Sequence, residues 1–268
     1  MSKRFYNASE VPDEQTWMYE DVLPGGHDAA RALLQNYSRI PAGDVDAHIR
    51  RIRDELWNVF HYPCIGRWRF LLLADSQNQL YRQVLRRLTD VNSQDGLLDL
   101  GTCVGQALRQ LTHDGADSSR LFGVDLRPEF LDIGYDLFQD KGRFHATLVA
   151  GNVLDPADAN LTALNGRVSI VWANASFHLF DWKQQVAAAT RIVGFLRPGI
   201  RDALVFGRHL GSVEPKESED RGRTRFLHDQ GSFQRLWDDW SMWPRWGCRF
   251  RVTATRHGRA TMLCIRTW

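Results

Sequence analysis

Two acidic residues and two glycines with the spacing of a ligand-binding turn stand near the middle of the chain. The first acid, Asp99, ends the apolar run in residues 95–106, DGLLDLGTCVGQ, and Gly101 and Gly105 follow it. Glycine has no Cβ atom, so a ligand can approach the main chain and the amides that open the next helix. A buried strand that runs into such a turn predicts a crevice for a cofactor.

The second acid, Asp125, ends the next apolar run, LFGV at 121–124. A carboxylate at the end of the second strand of a doubly wound fold accepts hydrogen bonds from the ribose of a nucleoside cofactor. The turn favours S-adenosylmethionine (SAM) over a nicotinamide dinucleotide, because Cys103 replaces the second glycine of the dinucleotide pattern and Asp99 adds negative charge. That charge attracts an ammonium and a sulfonium but repels a pyrophosphate. Asp99 as a cap of the turn, and Asp125 as an N-cap or Asx turn before Pro128, remain the structural alternatives.

The stretch 172–182, WANASFHLFDW, contains the candidate catalytic side chain, His178. Its apolar neighbours are equally typical of a histidine packed in the core, so catalysis, substrate contact and a structural role all stay open for His178. Asp181, three residues later, is typical of a helix N-cap. The sulfonium of SAM carries the methyl group that this cofactor can transfer, and the transfer is an in-line displacement. Alignment of donor and acceptor lowers its barrier by up to ~7–11 kcal/mol. A carboxylate acceptor needs no base, whereas a phenol or an amine needs one. We find no Lys–Glu or His–Asp pair dedicated to that task. Carboxyl O-methylation is therefore the reaction that requires the fewest additional catalytic residues.

The elements that must position these residues alternate along the chain. We predict strands near residues 96–100, 120–125, 145–150, 168–173 and 203–209, and helices near 105–112, 128–139, 182–196 and 231–240. This alternation predicts an α/β fold with a parallel sheet and right-handed crossovers. Apolar runs at 250–255 and 261–265 flank a turn and predict a final hairpin. Upstream, Ile49, Ile52 and Leu56 recur at a helical period behind Asp44, a candidate N-cap.

The strings LDLGTCVGQALRQL, FGVDLRPEFLDIG, AGNVLD and WANASFHLFDW together resemble the fungal SAM-dependent methyltransferases of meroterpenoid biosynthesis, within the class I methyltransferase superfamily. The resemblance implies a Rossmann-like class I methyltransferase sheet with an antiparallel C-terminal hairpin and an N-terminal helical cap. It also implies methyl ester formation on the carboxylate of a farnesylated aromatic polyketide acid, such as a dimethylorsellinate derivative.

The residue analysis and the resemblance together indicate candidate site residues. The residues expected to bind SAM are Asp99, Gly101, Thr102, Gly105, Asp125, Leu126, Asn152, Val153 and Asn174. Within this set, the Asn152 side chain and the Val153 amide are expected to meet adenine, although Gly151-Asn152 is also typical of a plain turn. The residues expected to contact substrate are Tyr62, Arg67 and His178. Arg67 would bind the carboxylate of either the methyl donor or the substrate, and a surface ion pair is its alternative.

Length and charge restrict the class of protein. The 268 residues suit a single domain, with a partly disordered N-terminus at 1–18, a helical cap at 19–93 and a SAM-binding α/β core at 94–268. A net charge of +2 gives no broad positive surface that would bind nucleic acid. The longest apolar run, at 68–74, is too short to span a bilayer. The four cysteines are widely spaced and fit reduced thiols without a metal. We therefore expect a cytoplasmic enzyme with a small lipophilic acid as substrate.

Several features stay open between two interpretations. The aromatic residues Trp17, Tyr19, Trp237, Trp240, Trp243 and Trp246 are candidates for a substrate cavity, for the core or for a homodimer surface. Residues 211–222, GSVEPKESEDRG, are expected to form a charged loop, either a lid or a solvated surface segment. The rival functions are a regulatory SAM-binding protein without turnover, a NAD-linked oxidoreductase, and a methyltransferase acting on another small-molecule hydroxyl, nitrogen or carbon.

Overall fold

The computed structural model of the chain describes residues 13–200, 202–220, 222–238, 250–257 and 260–267. The chain divides into two compact units. The helical unit consists of Met1–Asp90, Thr102–Ser119 and Arg127–Thr147, and the sheet unit consists of Val91–Gly101, Arg120–Leu126 and Leu148–Trp268. The division expected from sequence, a cap at 19–93 and a core at 94–268, stays a prediction.

Over its described residues, the helical unit contains six α-helices. They are α1 (Asp28–Asn36), α2 (Val45–Val59), α3 (Pro63–Gly66), α4 (Gln79–Thr89), α5 (Gln106–His113) and α6 (Pro128–Phe138). The periodic residues Ile49, Ile52 and Leu56 of α2 are completely buried, as their spacing predicts. Helix α2 also contacts α6, because His48 Nε2 lies 2.9 Å from the Leu137 carbonyl oxygen. Asp44 stands at the N-cap of α2 without a side-chain capping bond.

Nine strands and two α-helices lie in the part of the sheet unit that the structure describes. The strands are β1 (Leu97–Leu100), β2 (Leu121–Asp125), β3 (Thr147–Ala150), β4 (Ile170–Trp172), β5 (Leu204–Leu210), β6 (Lys216–Asp220), β7 (Arg223–Leu227), β8 (Phe250–His257) and β9 (Ala260–Thr267), and the helices are α7 (Trp182–Phe195) and α8 (Gln230–Asp238). Seven strands form one sheet in the order β3-β2-β1-β4-β5-β9-β8.

The central strands of this sheet are parallel and the last two are not. β1 pairs in parallel with β2 and with β4, and β4 pairs in parallel with β5. β9 is antiparallel to both β5 and β8. Leu98, Val171 and Val205 lie side by side across β1, β4 and β5 and are at most 2% exposed. Each such side chain contributes about 1.5–3 kcal/mol by burial, so these strands are fixed in register by the core.

The segment 211–222 differs from its prediction as a loop. Residues Lys216–Asp220 form β6, which pairs antiparallel with β7 in a separate two-stranded sheet. Its charged composition indicates solvent exposure, but cross-strand partners decide its conformation. Arg225 in β7, for example, forms an ion pair of 2.9 Å with Asp220 in β6.

The aromatic residues of the sequence prediction separate into two groups. Tyr19 and Trp237 are buried in the cores of the helical and sheet units, whereas Trp17 is 45% exposed. Trp240, Trp243 and Trp246 lie outside the described residues, as does the N-terminal segment 1–12. Over the described ranges, the structure contains no helix long and apolar enough to cross a bilayer.

Candidate active site

The carboxyl ends of β1 and β2 bring the first two candidate residues of the sheet unit to one edge. Asp99 is 5% exposed and Asp125 is half-buried. The Gly101 amide donates to the Val124 carbonyl oxygen at 2.8 Å, which places Gly101 beside the end of β2. Gly101 has a φ of +75° and open space where a Cβ atom would lie. The edge therefore presents exposed main chain beside two carboxylates, and the exposed Leu126 follows them.

The rest of the glycine turn belongs to the helical unit. Cys103 and Gly105 have φ values of +50° and +66°, and the Gly105 amide donates to the Thr102 carbonyl oxygen at 2.7 Å. A Cβ atom at Gly105 would overlap the Arg109 guanidinium. The left-handed conformation and the close approach of Arg109 together favour glycine at this position.

A buried network, which the sequence did not reveal, holds this turn. Arg109 Nη1 donates to the Val104 carbonyl oxygen at 2.9 Å, and Arg109 Nε donates to Asp140 at 2.9 Å. Both side chains are completely buried. Tyr37 also donates to Asp140 at 2.8 Å, and its pKa is raised by burial and by the Asp140 charge. These residues are far apart in sequence and follow no motif, so no sequence signal links them.

Hydrogen bonds to the main chain of Asp125 and to the side chain of Asp158 hold the turn after β3. The Gly151 amide donates to the Asp125 carbonyl oxygen at 2.9 Å, so this turn adjoins the end of β2. The Asn152 amide donates to Asp158 Oδ2 at 2.7 Å, and Asn152 Oδ1 accepts from the Leu154 amide at 3.0 Å. Hydrogen bonds from the Asn152 amide and neighbouring amides lower the pKa of Asp158. The predicted turn is present and well fixed, while the contact of Asn152 and Val153 with adenine stays a prediction.

Asn174 is exposed but hydrogen-bonded to β5. Its Oδ1 accepts from the Arg208 amide at 3.1 Å, and the Ala175 amide donates to the Arg208 carbonyl oxygen at 2.8 Å. A Cβ atom at Gly207 would overlap the Ala173 carbonyl oxygen, so the two strand ends approach as closely as glycine allows. Whether Asn174 also contacts the cofactor stays a prediction.

His178 lies in a short 3-10 turn, Phe177–Leu179, after β4. Its ring is half-buried, with its centroid 6.2 Å from that of His209 in β5. The helix after this turn begins as predicted, because Asp181 accepts from the Gln184 amide at 2.8 Å in a capping box. The loop after β4 is therefore fixed from both sides.

A third histidine, His228, is fixed in one neutral form. Gln185 Nε2 donates to the carbonyl oxygens of Phe180 and Phe226, both at 2.9 Å, so its Oε1 faces His228 Nε2 at 2.9 Å. His228 Nε2 must therefore carry the hydrogen, and Nδ1 accepts from Ser232 Oγ at 2.8 Å. Burial lowers the pKa of His228 to about 4. This imidazole is neutral at physiological pH.

His209 is buried and uncharged. It is 6% exposed, and burial first, then His178 and His228, lower its pKa well below the ordinary value. Sequence reasoning missed both His209 and His228, because a single histidine in or after a strand has no distinguishing spacing. Among the described residues, no group of three His, Cys, Asp or Glu side chains is placed to hold a metal ion.

The predicted substrate residues Tyr62 and Arg67 lie in the helical unit. The Tyr62 ring packs with its centroid 4.3 Å from that of Phe60. Arg67 forms an ion pair of 2.8 Å with Glu20, and both side chains are partly exposed, 37% and 40%. The ion-pair alternative is thus present, and substrate contact by Tyr62 and Arg67 stays a prediction.

The sheet order, with its antiparallel last strand and its acids at the ends of β1 and β2, defines the chain as a class I SAM-dependent methyltransferase. A methyltransferase domain model matches residues 97–199, and a meroterpenoid methyltransferase N-terminal domain model matches residues 17–71. The chain belongs to the fungal meroterpenoid methyltransferases. Its cofactor is SAM.

Its relatives are fungal methyltransferases. The chain is 40% identical to the O-methyltransferase phiE of a fungal species, over 77% of this chain and 69% of the relative. It is 38% identical to the Asnovolin E/Chermesin D methyltransferase nvfJ of Aspergillus novofumigatus, over 79% and 75%. It is 36% identical to the methyltransferase adrK of Penicillium roqueforti, over 82% and 79%.

A solved structure shares the fold at low identity. A Rhodobacter sphaeroides protein described as a putative Zn-dependent alcohol dehydrogenase superposes with a TM-score of 0.54 at 9% identity, over 81% of this chain and 98% of that one. At this identity the likeness shows the fold alone. The acids of the turn and the methyltransferase family matches argue against the dehydrogenase alternative.

Proposed function

We propose that the enzyme forms a methyl ester on the carboxylate of a farnesylated aromatic polyketide acid in meroterpenoid biosynthesis. The family match to a meroterpenoid methyltransferase N-terminal domain supports the pathway class. The names of two relatives add support, because one is an O-methyltransferase and the other is named as the methyltransferase of asnovolin E and chermesin D. The resemblance of the sequence motifs points to the same reaction. A transfer to another small-molecule hydroxyl, nitrogen or carbon is the alternative.

The residues at the sheet edge fit the cofactor. SAM supplies a methyl group on a sulfonium, and it carries an ammonium and a ribose diol, which are all groups that carboxylates attract. We assign Asp99 to the ammonium and Asp125 to the ribose, with the exposed main chain of Gly101 between them. The Asn152 side chain and the Val153 amide would meet adenine, since Asn152 Oδ1 has a second lone pair beyond the one used by Leu154.

The burial of His209 and His228 is the observation that carries the choice of a carboxylate. His228 has a pKa of about 4, and that of His209 lies well below its ordinary value. Such imidazoles are weak bases toward a phenol, whose pKa is about 10. A carboxylic acid loses its proton near pH 4 and arrives as a competent nucleophile. The chain's task is then to orient the carboxylate and exclude water, a role that we assign to His178.

The test is the position of the new methyl group. Purified enzyme is incubated with SAM and a ring-farnesylated orsellinic acid, and the product is analysed by mass spectrometry before and after prolonged hot alkali, because two ring substituents shield the ester. A methyl ester is hydrolysed back to the acid, whereas a methyl ether or a C-methyl group survives. The decarboxylated resorcinol is the matched control, because it keeps both hydroxyls and should gain no methyl group. An alkali-stable product, or methylation of the resorcinol, would exclude the proposed ester.

The remaining site and partner expectations are proposals of the same kind. Thr102, Gly105, Leu126 and Asn174 are assigned to the cofactor, and Tyr62 and Arg67 to the substrate. We also expect a cytoplasmic protein, and a homodimer is the expected assembly.

A further inference from the structure

A small cavity lies within the sheet unit, beside the ends of β4 and β5. Its volume is about 10 Å³, which is room for one water-sized group. Three aromatic rings and three imidazoles form most of its wall: Phe177, Phe226, Phe233, His178, His209 and His228. The wall of the cavity is therefore mostly apolar, and the histidine nitrogens are its polar atoms.

Only some of these nitrogens are used within the protein. Both ring nitrogens of His228 are hydrogen-bonded, to Gln185 and to Ser232, so that histidine is a structural part of the wall. His209 differs, because its Nδ1 is buried and has no hydrogen-bond partner among the described residues. A buried polar atom without a partner is costly, and it needs an explanation such as a ligand.

The packing around His209 fixes its ring. The Phe177 ring stands edge-on to it with centroids 5.3 Å apart, and the Phe233 ring lies at 6.3 Å. A ring held by aromatic neighbours on a central strand keeps its nitrogen at a fixed place. That is the property a group needs to orient a substrate.

We propose that His209 positions the acceptor, with its Nδ1–H donating a hydrogen bond to one oxygen of the substrate carboxylate at this cavity. The inference deepens the proposed function and rests on it. A carboxylate oxygen is about the size of the group that the cavity can take, and the neighbouring aromatic rings match an aromatic acid. The second carboxylate oxygen remains the nucleophile, so no proton is moved.

The charge of the donor matters for this reaction. The acceptor carboxylate loses its negative charge as it takes up the methyl group, so a fixed cation beside it would stabilise the reactants more than the transition state. An uncharged imidazole avoids that effect while still fixing the direction of attack. The neutral state of buried His209 therefore suits a donor better than an arginine would.

Two variants of the full-length enzyme test the inference. His209→Leu removes the donor and should raise the KM for the farnesylated acid by about 10- to 100-fold, the range for a hydrogen bond to a charged group. His209→Asn keeps an amide donor at the place of Nδ1 and should restore KM to within about 5-fold of the original. The affinity for S-adenosylhomocysteine, measured by calorimetry, should stay within a factor of two in both. His145→Gln, on an exposed histidine of the helical unit, is the matched control and should change nothing.

A second measurement uses only the wild-type enzyme, so it does not depend on whether a variant folds. In the wild-type enzyme with S-adenosylhomocysteine and ¹⁵N-labelled histidine, addition of the acid should shift the Nδ1 resonance of His209, and addition of the resorcinol should not. An unchanged KM in a folded His209→Leu variant, or an unmoved resonance, would overturn the role of His209 while leaving ester formation intact. Failure of the proposed function would instead appear as an alkali-stable product from the wild-type enzyme.

Discussion

Removal of the Asp140 charge should destabilise the helical unit and loosen the glycine turn. Asp140 accepts three hydrogen bonds, from Arg109 Nε at 2.9 Å, Arg109 Nη2 at 3.1 Å and Tyr37 Oη at 2.8 Å. Asp140→Asn leaves the Arg109 guanidinium, which is 0% exposed, without a counter-charge. Breaking a buried pair in this way costs about 3–5 kcal/mol. Tyr37→Phe removes only one bond to a charged group and should cost about 1.5–3 kcal/mol.

Urea unfolding followed by circular dichroism gives the free energy of unfolding of each variant. The Arg109→Met/Asp140→Leu double variant removes both charges and should lose less than Asp140→Asn, since no buried charge is left unpaired. It also removes the donor to the Val104 carbonyl oxygen, so its affinity for S-adenosylhomocysteine should fall by about 3- to 10-fold. If Asp140→Asn cost no more than Tyr37→Phe, the charge would not be what holds this network and the reasoning would fail.

Three further predictions concern the site. Asp125→Ala should abolish SAM binding measured by calorimetry, because the ribose loses its acceptor, and an unchanged affinity would refute the assignment. His178→Ala should keep S-adenosylhomocysteine affinity within a factor of two but slow single-turnover methyl transfer; a loss of cofactor binding instead would assign His178 to the cofactor. The pKa of His228 is lowered from its ordinary value of 6.5 to about 4 in the folded state. As the pH falls below 6.5, this histidine therefore binds a proton in the unfolded state before it does so in the folded state. Stability should therefore drop by about 3 kcal/mol between pH 6.5 and 4, and by less in His228→Gln, as urea unfolding at each pH can check.

The elements that hold the site were predictable because they depend on local pattern. The predicted strands at 96–100 and 120–125 are observed as Leu97–Leu100 and Leu121–Asp125, since a short apolar run between turn residues has few other solutions in an α/β chain. The final hairpin was predictable for the same reason. The segment 211–222 was wrongly predicted as a loop, because β6 depends on partners in β7 that its own composition does not reveal.

The positions of the candidate site residues were predictable only where these residues lie at a strand end. Asp99 and Asp125 follow apolar runs directly, so the sequence places them at the same edge of the sheet. Arg109 and His209 lie within helices and strands, and their partners are distant in the chain. Long-range packing brings such residues together, and a single sequence carries no spacing that predicts it.

The buried histidines tie the fold to the acceptor chemistry. Gln185 is completely buried and connects the turn after β4, the end of β7 and His228, so the wall beside His209 is held from three directions. Burial of this wall disfavours an imidazolium, and it lowers the pKa of His228 to about 4 and that of His209 well below its ordinary value. His209 and His228 are therefore weak bases for a phenol, whereas an acceptor that arrives already ionised needs only a hydrogen-bond donor to direct it. The packing of these two histidines thus supports the proposal that a carboxylate is the group that is methylated.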